Sequence, residues 1–168
     1  MEKLFSPWRS KYIESFKGAA PKSTGCIFCD AVAAVSDEDT LVVYRGSEAF
    51  VIMNLYPYNS GHLMVVPKRH TADFSTLTPS ELAECNVLLQ TAQKALQELS
   101  SPHGYNIGMN LGRSAGAGIE DHLHWHIVPR WNGDTNFMPA LADIKVVSED
   151  MHLQHEKLTI LFQRILGR

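Results

Sequence analysis

The sequence predicts an α+β domain, with helices packed on an antiparallel sheet of about five strands. Short runs of β-branched and aromatic residues, separated from one another by turn residues, indicate the strands. Two longer stretches instead repeat apolar residues at helical spacing. Strands and helices do not alternate as β-α-β units, so a parallel sheet is not expected.

Four of the strands are predicted at residues 41–45, 49–54, 62–66 and 105–111. The first two flank a Gly-Ser-Glu turn and are therefore expected to form a hairpin. The third follows a segment dense in turn residues and ends at Pro67. The fifth is the histidine-containing stretch described below.

A long helix is predicted to begin after Thr78 and to end at about Leu99. Thr78 can cap this helix, Pro79 suits its first position, and Glu81 completes a capping box. The apolar stripe of the helix indicates packing on the sheet. A second helix is predicted over residues 148–166, as a C-terminal extension.

Length and composition indicate a single globular domain over residues 1–168, and Pro and Gly residues in its first part indicate an N-terminal arm at 1–25. The chain is 45% hydrophobic and 20% charged, as ordinary globular domains are. Its net charge of −3 offers no basic surface for nucleic acid. No apolar run approaches the ~20 residues that cross a bilayer, and the first residues contain no apolar signal segment. We therefore expect a cytoplasmic protein with neither nucleic acid nor membrane as a partner.

Three histidines at alternate positions are the most informative feature of the chain. They are interleaved with three apolar residues, in the order His122, Leu123, His124, Trp125, His126 and Ile127. In a strand, alternate side chains share a face, so the imidazoles would line one face and the apolar residues would pack into the core. Three imidazoles on one face do not help a fold to bury surface, and the pattern therefore indicates chemistry.

Two chemistries use such a face, and the pattern alone leaves both open. One is metal ligation by neutral imidazole nitrogens, usually completed by a carboxylate or a thiolate. The other is covalent catalysis, in which one imidazole attacks and its neighbours bind anionic oxygens. Solvated strand histidines without a function are the third interpretation, which the strict alternation disfavours.

A glycine-rich run at residues 112–118 leads into the histidines. It matches neither the P-loop nor the dinucleotide-binding pattern. Glycines nevertheless allow backbone N–H groups to approach an anion closely. The run is therefore a candidate phosphate-binding loop because it feeds directly into the histidine strand.

The three cysteines do not form a disulfide framework. Cys85 lies in the long helical pattern and is expected to be a small buried apolar group. Cys26 and Cys29 form a Cys-x-x-Cys pair, which is half of a zinc site, a redox pair, or two unligated thiols. For a zinc site, the further ligands are expected to be His70 and His122.

Residues 122–128, His-Leu-His-Trp-His-Ile-Val, resemble the signature of the histidine triad (HIT) superfamily. Two upstream segments strengthen the resemblance. One is similar to a sheet segment of the family, through Asn54, Pro57, Gly61, His62, Pro67 and Lys68. The other resembles its phosphate loop, through Asn110, Gly116 and Gly118. The resemblance covers residues 26–137 and implies a HIT-like fold.

Residues 129–134 resemble the branch that acts on dinucleoside polyphosphates, which includes hydrolases and phosphorylases. The N-terminal arm and the C-terminal helix resemble extensions of bacterial members similar to diadenosine tetraphosphate phosphorylases. A nucleotide or dinucleoside polyphosphate is thus the implied substrate, and a homodimer the implied assembly. Any Zn²⁺ would be structural, because the covalent step of the family requires no cofactor.

The resemblance implies a different role for each histidine. His124 would attack the α-phosphorus and form a nucleotidyl-histidine intermediate, which phosphate or water then releases. His126 would bind the α-phosphate or protonate the leaving oxygen, and His62 would orient His126. His122 would contact substrate or hold the nucleophile through its backbone, and it is also the candidate zinc ligand.

The implied nucleotide site is less sharply defined. Asn110 and the backbone of Gly116 and Gly118 would bind phosphate, and Asn54 would reach the ribose hydroxyls. Phe28 and Ile52 either sandwich the base or belong to the core. Arg130 is a leaving-phosphate contact or a surface charge, and Trp131 is a candidate to stack on a second base.

One departure from the family bears on the acceptor. Hydrolases of this branch commonly carry glutamine four residues before the first triad histidine, where this chain has Gly118. The departure favours phosphate over water in the second step. Two other functions are kept as alternatives, a metal-dependent phosphohydrolase that uses the three histidines as ligands and a nucleotide-binding protein with little turnover.

Overall fold

In a computed structural model the protein is described over residues 25–134 and 150–167. The predicted N-terminal arm lies almost wholly outside these ranges, as do residues 135–149. The elements, in chain order, are α1 (Ile27–Ala33), α2 (Asp37–Thr40), β1 (Val42–Arg45), β2 (Ala49–Met53), β3 (Leu63–Pro67), α3 (Pro79–Ser100), β4 (Gly104–Met109), β5 (Trp125–Arg130) and α4 (Met151–Ile165). The sequence did not predict the two short helices α1 and α2.

The five strands form one antiparallel sheet in the order β1-β2-β3-β5-β4, which confirms the predicted fold class. The histidine strand β5 is central, between β3 and β4. It begins at Trp125, however, so His122 and His124 precede the strand. The reason is a different backbone partner, since the N–H of Leu123 bonds to the carbonyl of Thr71 in the loop after β3, at 2.8 Å.

The two faces of the sheet carry separate apolar clusters. One face packs against α3 and α4, and its members include Ile127 of β5 and Phe162 of α4. The other face packs against α1 and includes Phe28 and Met64. Met64 pairs with His126 across β3 and β5, so His126 lies on the α1 face. Within β5, His126 is thus separated from Trp125 and Ile127, which pack in the cluster on the other face. The prediction that one strand carries all three imidazoles is wrong, because His122 and His124 precede the strand and are buried there.

Helix α3 begins as predicted. Thr78 caps it, and Glu81 completes the capping box. Glu81 is also buried, and the guanidinium of Arg69 donates to both of its carboxylate oxygens at 2.8 Å. This ion pair ties the loop after β3 to the start of α3, and His70 is the next residue in that loop.

Helix α4 begins at Met151, where the Asp150 side chain caps the backbone N–H groups of His152 and Leu153. The predicted start at residue 148 lies outside the described residues. Leu158 and Phe162 bury the inner side of the helix against the sheet. No helix among the described residues is long and apolar enough to span a bilayer.

The Arg69–Glu81 pair predicts a pH-dependent stability. Hydrogen bonds from Arg69, which outweigh the opposing effect of burial, lower the pKa of Glu81 from 4.5 to about 2. The stabilisation is therefore fully present above pH 4.5 and is lost as the pH falls towards 2. Glu81→Gln keeps the shape of the capping box, and we expect it to lower the free energy of unfolding by about 1–3 kcal/mol at pH 7.

Urea unfolding of both proteins between pH 7 and pH 3 checks this prediction. The difference between wild type and Glu81→Gln is expected to shrink over the acidic half of the range. A difference that stays constant with pH would contradict it.

Candidate active site

The His122 side chain is held by two sets of partners. Its Nε2 lies 2.8 Å from the carbonyl oxygen of Pro67, which can only accept a hydrogen bond. The Nε2 atom must therefore carry a proton, so the neutral ring has its lone pair on Nδ1. That lone pair faces a cluster of Cys26, Cys29 and His70.

The four side chains of this cluster have the geometry of a tetrahedral metal site. His122 Nδ1 lies 3.3 Å from Cys26 Sγ, 3.7 Å from Cys29 Sγ and 3.2 Å from His70 Nδ1. Cys29 Sγ lies 3.3 Å from His70 Nδ1. Tetrahedral zinc with bonds of about 2.0–2.3 Å requires ligand atoms roughly 3.3–3.8 Å apart. The residues present thus fit a Cys₂His₂ zinc site, as the sequence predicted.

The two thiols lie close together at the beginning of α1. Burial, reinforced by the neighbouring Cys26 thiol, raises the pKa of Cys29 to about 11. A metal that binds here must therefore displace thiol protons. Cys85 is buried in the second turn of α3 among apolar residues, and burial raises the pKa of its thiol to about 12. It is a core residue, as expected.

The protonation of His124 is fixed by the backbone of His122. The Nδ1 atom of His124 lies 2.9 Å from the backbone carbonyl oxygen of His122, an obligatory acceptor. The proton is thus on Nδ1, and Nε2 of the neutral ring has a lone pair. Burial lowers the pKa of His124 below its usual 6.5, so the ring is neutral at pH 7. A neutral imidazole with an unprotonated Nε2 is a competent nucleophile.

His126 has the opposite arrangement because of His62. The backbone N–H of Tyr58 donates to His62 Nδ1 at 3.0 Å, so the neutral His62 ring carries its proton on Nε2. His62 Nε2 in turn lies 2.9 Å from His126 Nδ1 and donates to it. His126 therefore carries its own proton on Nε2. The predicted orienting role of His62 has this pair of hydrogen bonds as its physical basis.

The two rings lie side by side, with centroids 4.9 Å apart and planes at 80°. His124 presents a lone pair and His126 presents an N–H donor. Such a pair can attack an electrophilic phosphorus and donate to one of its oxygens.

The side chain of Asn54 lies against His62. Its Oδ1 accepts from the backbone N–H of Tyr56 at 2.9 Å, and its Nδ2 lies 3.3 Å from His62 Nδ1. Asn54 thus helps to keep His62 Nδ1 unprotonated, a contact that the sequence did not predict. Its contact with ribose stays a prediction.

Phe28 and Ile52 belong to the apolar cluster on the α1 face. Phe28 has no exposed surface, and its ring lies 5.4 Å and 5.0 Å from the rings of His122 and His124. Phe28 therefore packs against both histidine rings as part of the apolar cluster on the α1 face. Stacking of a base on Phe28 or Ile52 stays a prediction.

The glycine-rich run forms a loop with one short 3₁₀ turn at Arg113–Ala115 and precedes the histidines in the chain. Gly116 has a φ of +93°, which favours glycine, and its carbonyl lies 3.4 Å from Asn110 Nδ2. At Gly118 an added Cβ would meet nothing within 4 Å. The loop therefore has room for a ligand, and the phosphate contacts of Asn110, Gly116 and Gly118 stay predictions.

Arg130 is held away from a ligand role by an ion pair. Its guanidinium donates to both carboxylate oxygens of Asp134, at 2.6 and 2.9 Å, and to Asn106 Oδ1 at 2.8 Å. Asp134 also accepts from Asn59 Nδ2 at 2.8 Å. The Trp131 ring nitrogen donates to the carbonyl of Ser100 at 3.3 Å. These contacts favour a structural role for Arg130.

The three histidines do not converge on one point. Among the described residues, the cluster that could hold a metal includes His122 but neither His124 nor His126. The two roles predicted for His122 are also compatible, because they use different atoms. Its ring faces the cysteines, and its backbone carbonyl holds His124.

Two groups of the site were not predicted from the sequence, namely the N–H of Tyr58 and the carbonyl of Pro67. Both are backbone groups, so residue type carries no signal of their roles.

Sequence comparison identifies close relatives. The sequence model of the HIT domain family matches residues 35–133 of this chain. An AP-4-A phosphorylase of Mycobacterium tuberculosis is 41% identical over 153 residues, which cover 89% of this chain and 78% of that protein. An uncharacterized HIT-like protein of Methanocaldococcus jannaschii is 34% identical over 134 residues, which cover 79% of this chain and 98% of that protein.

Solved structures agree with the sequence relatives. A zinc-bound histidine triad family protein from Mycobacterium smegmatis superposes with a TM-score of 0.66 at 27% identity, over 84% of this chain and 96% of that one. A hypothetical histidine triad nucleotide-binding protein from Sulfolobus tokodaii has a TM-score of 0.66 at 25% identity, over 83% of this chain and 93% of that one.

Proposed function

The chain belongs to the histidine triad family, and we propose that it is an enzyme that cleaves a dinucleoside polyphosphate at the α-phosphate. The name of the M. tuberculosis relative supports a substrate similar to diadenosine tetraphosphate. The observation that carries the proposal is the opposed protonation of His124 and His126, fixed by backbone hydrogen bonds. It provides a nucleophile and a proton donor on one surface.

In the first step, the Nε2 lone pair of His124 attacks the α-phosphorus. A nitrogen–phosphorus bond forms while the bond to the oxygen that bridges to the β-phosphate breaks. With diadenosine tetraphosphate the leaving group is ATP. The Nδ1–H bond to the His122 carbonyl stabilises the positive charge that develops on the ring.

His126 assists with the charge that develops on oxygen. Its Nε2–H donates to the bridging oxygen or to an oxygen of the α-phosphate. His62 Nε2–H, which donates to His126 Nδ1, keeps the proton of His126 on the side of the substrate.

In the second step, an oxygen of the acceptor attacks the same phosphorus and the nitrogen–phosphorus bond breaks. Inorganic phosphate gives ADP, whereas water gives AMP, and His124 returns to its neutral state. We propose phosphate as the acceptor, because Gly118 leaves open the position at which hydrolases of this branch carry glutamine.

The nucleotide is proposed to lie over the α1 face of the sheet. Asn110 and the backbone of Gly116 and Gly118 would hold its phosphates, and Asn54 its ribose. Ile52 would border the base site, and Phe28, which has no exposed surface, would support this site as part of the core. The open space at Gly118 and the proximity of Asn110 to Gly116 support the phosphate assignment.

We also propose that Cys26, Cys29, His70 and His122 hold a structural Zn²⁺. The ligand spacing and the zinc-bound M. smegmatis structure support this assignment. Zinc in a four-ligand site of this kind stabilises local structure. Reduced thiols are required of Cys26 and Cys29, which fits the cytoplasmic location expected from the sequence.

A homodimer is proposed through β4, which is an edge strand of the sheet. The side chain of Ile107 in this strand is 51% exposed. Exposed edge strands are usually covered, and a second copy is the occupant that the family resemblance implies. Sedimentation of the protein at the mass of two chains tests this part of the proposal.

Product analysis with diadenosine tetraphosphate tests the reaction. We expect ADP and ATP when phosphate is present, and little turnover without it. We expect His124→Gly to lower the rate by at least roughly a thousandfold while the substrate still binds. The exposed His152→Ala is the matched control and should keep full activity.

Retained turnover in folded His124→Gly would contradict the covalent mechanism. AMP and ATP as the products in the presence of phosphate would replace phosphorolysis with hydrolysis. Binding without turnover by the wild-type protein would support the nucleotide-binding alternative.

Gly118→Gln tests the choice of acceptor. The backbone there is not left-handed and an added side chain meets open space, so the substitution should fold. We expect the ratio of AMP to ADP at a fixed phosphate concentration to rise, because an amide at this position can hold the attacking water. Gly118→Leu is the matched control for side-chain bulk, and an equal ratio in the two variants would contradict the prediction.

Metal analysis tests the zinc assignment. We expect one zinc per chain in protein purified under reducing conditions, and loss of the metal together with a lower Tm in Cys29→Ser and His70→Asn. Cys85→Ala removes a thiol outside the cluster and should keep the metal. Full zinc content in Cys29→Ser would contradict the assignment.

A further inference from the structure

Helix α4 contacts the region of the histidines through a buried glutamine. Gln154 is 4% exposed, although amide side chains are mostly found at protein surfaces. Its Oε1 accepts from the backbone N–H of Gly61 at 3.2 Å, and its Nε2 donates to Ser60 Oγ at 2.9 Å. Both ends of the buried amide are therefore used by the two residues that precede His62.

Ser60 and Gly61 belong to a turn that encloses the His62 ring. The N–H of Tyr58 donates to His62 Nδ1 at 3.0 Å, and the N–H of His62 donates to the carbonyl of Asn59 at 3.1 Å. The turn thus fixes the backbone of His62 and the protonation of its ring at the same time. A displacement of the turn would move the Tyr58 N–H away from Nδ1.

The turn is attached to the rest of the protein on two sides. Asn59 Nδ2 donates to the carbonyl of Pro129 at 3.1 Å, which attaches it to the end of β5. Gln154 attaches the other side, where Gly61 has a φ of +77° that favours glycine. The Gln154 contacts are the ones directly adjacent to His62.

We infer that Gln154 is a positioning residue for the transfer reaction, which holds the turn at 58–61 so that Tyr58 keeps His62 Nδ1 unprotonated. His62 Nε2–H then donates to His126, and His126 directs its own proton to the substrate. Gln154 touches none of the reacting atoms. Its helix lies outside the matched HIT domain at residues 35–133, so the C-terminal extension completes the site. The catalytic part of this inference rests on the proposed function.

The neighbouring residue provides a matched control for the docking of α4. His155 is also buried, and its Nε2 lies 2.8 Å from the carbonyl oxygen of Val42 in β1. This hydrogen bond attaches the same helix to the sheet without contacting the turn. His155→Leu should therefore destabilise the docking of α4 and leave the protonation of His62 and His126 unchanged.

The experiment compares Gln154→Leu with His155→Leu and with Ser60→Ala, which removes one partner of the amide by a mild change. Ring ¹⁵N shifts of His62 and His126 report the position of each proton without any substrate. Single-turnover transfer from diadenosine tetraphosphate reports the rate, and Tm reports folding.

In Gln154→Leu we expect the Nδ1 and Nε2 shifts of His62 to move towards each other, because both tautomers become populated. We expect the transfer rate to fall by about ten- to a hundredfold, because a small misplacement of a catalytic group causes a rate loss of this size. Ser60→Ala should change the His62 shifts and the transfer rate in the same direction but by a smaller amount. The double variant Ser60→Ala/Gln154→Leu should show the same shifts and rate as Gln154→Leu alone. Unchanged ¹⁵N shifts in folded Gln154→Leu, or equal changes in His155→Leu, would overturn the inference.

If the wild-type protein fails to turn over diadenosine tetraphosphate, the proposed function is wrong. The ¹⁵N comparison still decides whether Gln154 sets the protonation of His62, since it requires no substrate.

Discussion

The hydrogen bond from His124 Nδ1 to the His122 carbonyl is the constraint on which the proposed chemistry depends. A net hydrogen-bond contribution of about 1 kcal/mol is small for folding, yet it favours one tautomer about fivefold. The carbonyl is itself well fixed, because the His122 ring bonds to Pro67 on one side and faces the Cys/His cluster on the other. The proposed structural metal and the proposed nucleophile thereby depend on one residue, through different atoms of it.

In the site as a whole, backbone hydrogen bonds determine which ring nitrogen of each imidazole carries the proton. The Tyr58 N–H donates to His62, and His62 donates to His126, which leaves the proton of His126 on Nε2. His124 instead donates to a carbonyl and keeps a lone pair on Nε2. Chemically identical side chains thus differ in protonation, because one faces a carbonyl and the other faces a second imidazole, and the proposed roles of nucleophile and donor rest on this difference.

Much of this arrangement could be predicted from the sequence. The family resemblance of the triad implied the roles proposed for His124 and His126, and the thiol pair with His70 and His122 predicted the cluster that the fold assembles. The fold class was predicted because turn residues and helical periodicity mark its elements clearly. Short helices such as α1 escaped detection, since seven residues contain too few periods to reveal a pattern. The roles of the Tyr58 N–H and the Pro67 carbonyl could not be predicted, because residue type does not mark such backbone groups. The contact of Gln154 could not be predicted either, because it joins residues 93 positions apart.

The covalent role of His124 is tested most directly by trapping the intermediate. The protein is mixed with diadenosine tetraphosphate in the absence of phosphate and quenched in base, since nucleotidyl-histidine bonds are labile in acid. Mass spectrometry of the digest then locates the bound nucleotide. The account predicts one adenylyl group on His124, in the peptide that contains residues 122–126. Turnover with phosphate accompanied by a label on another residue, or by no label at all, would contradict it.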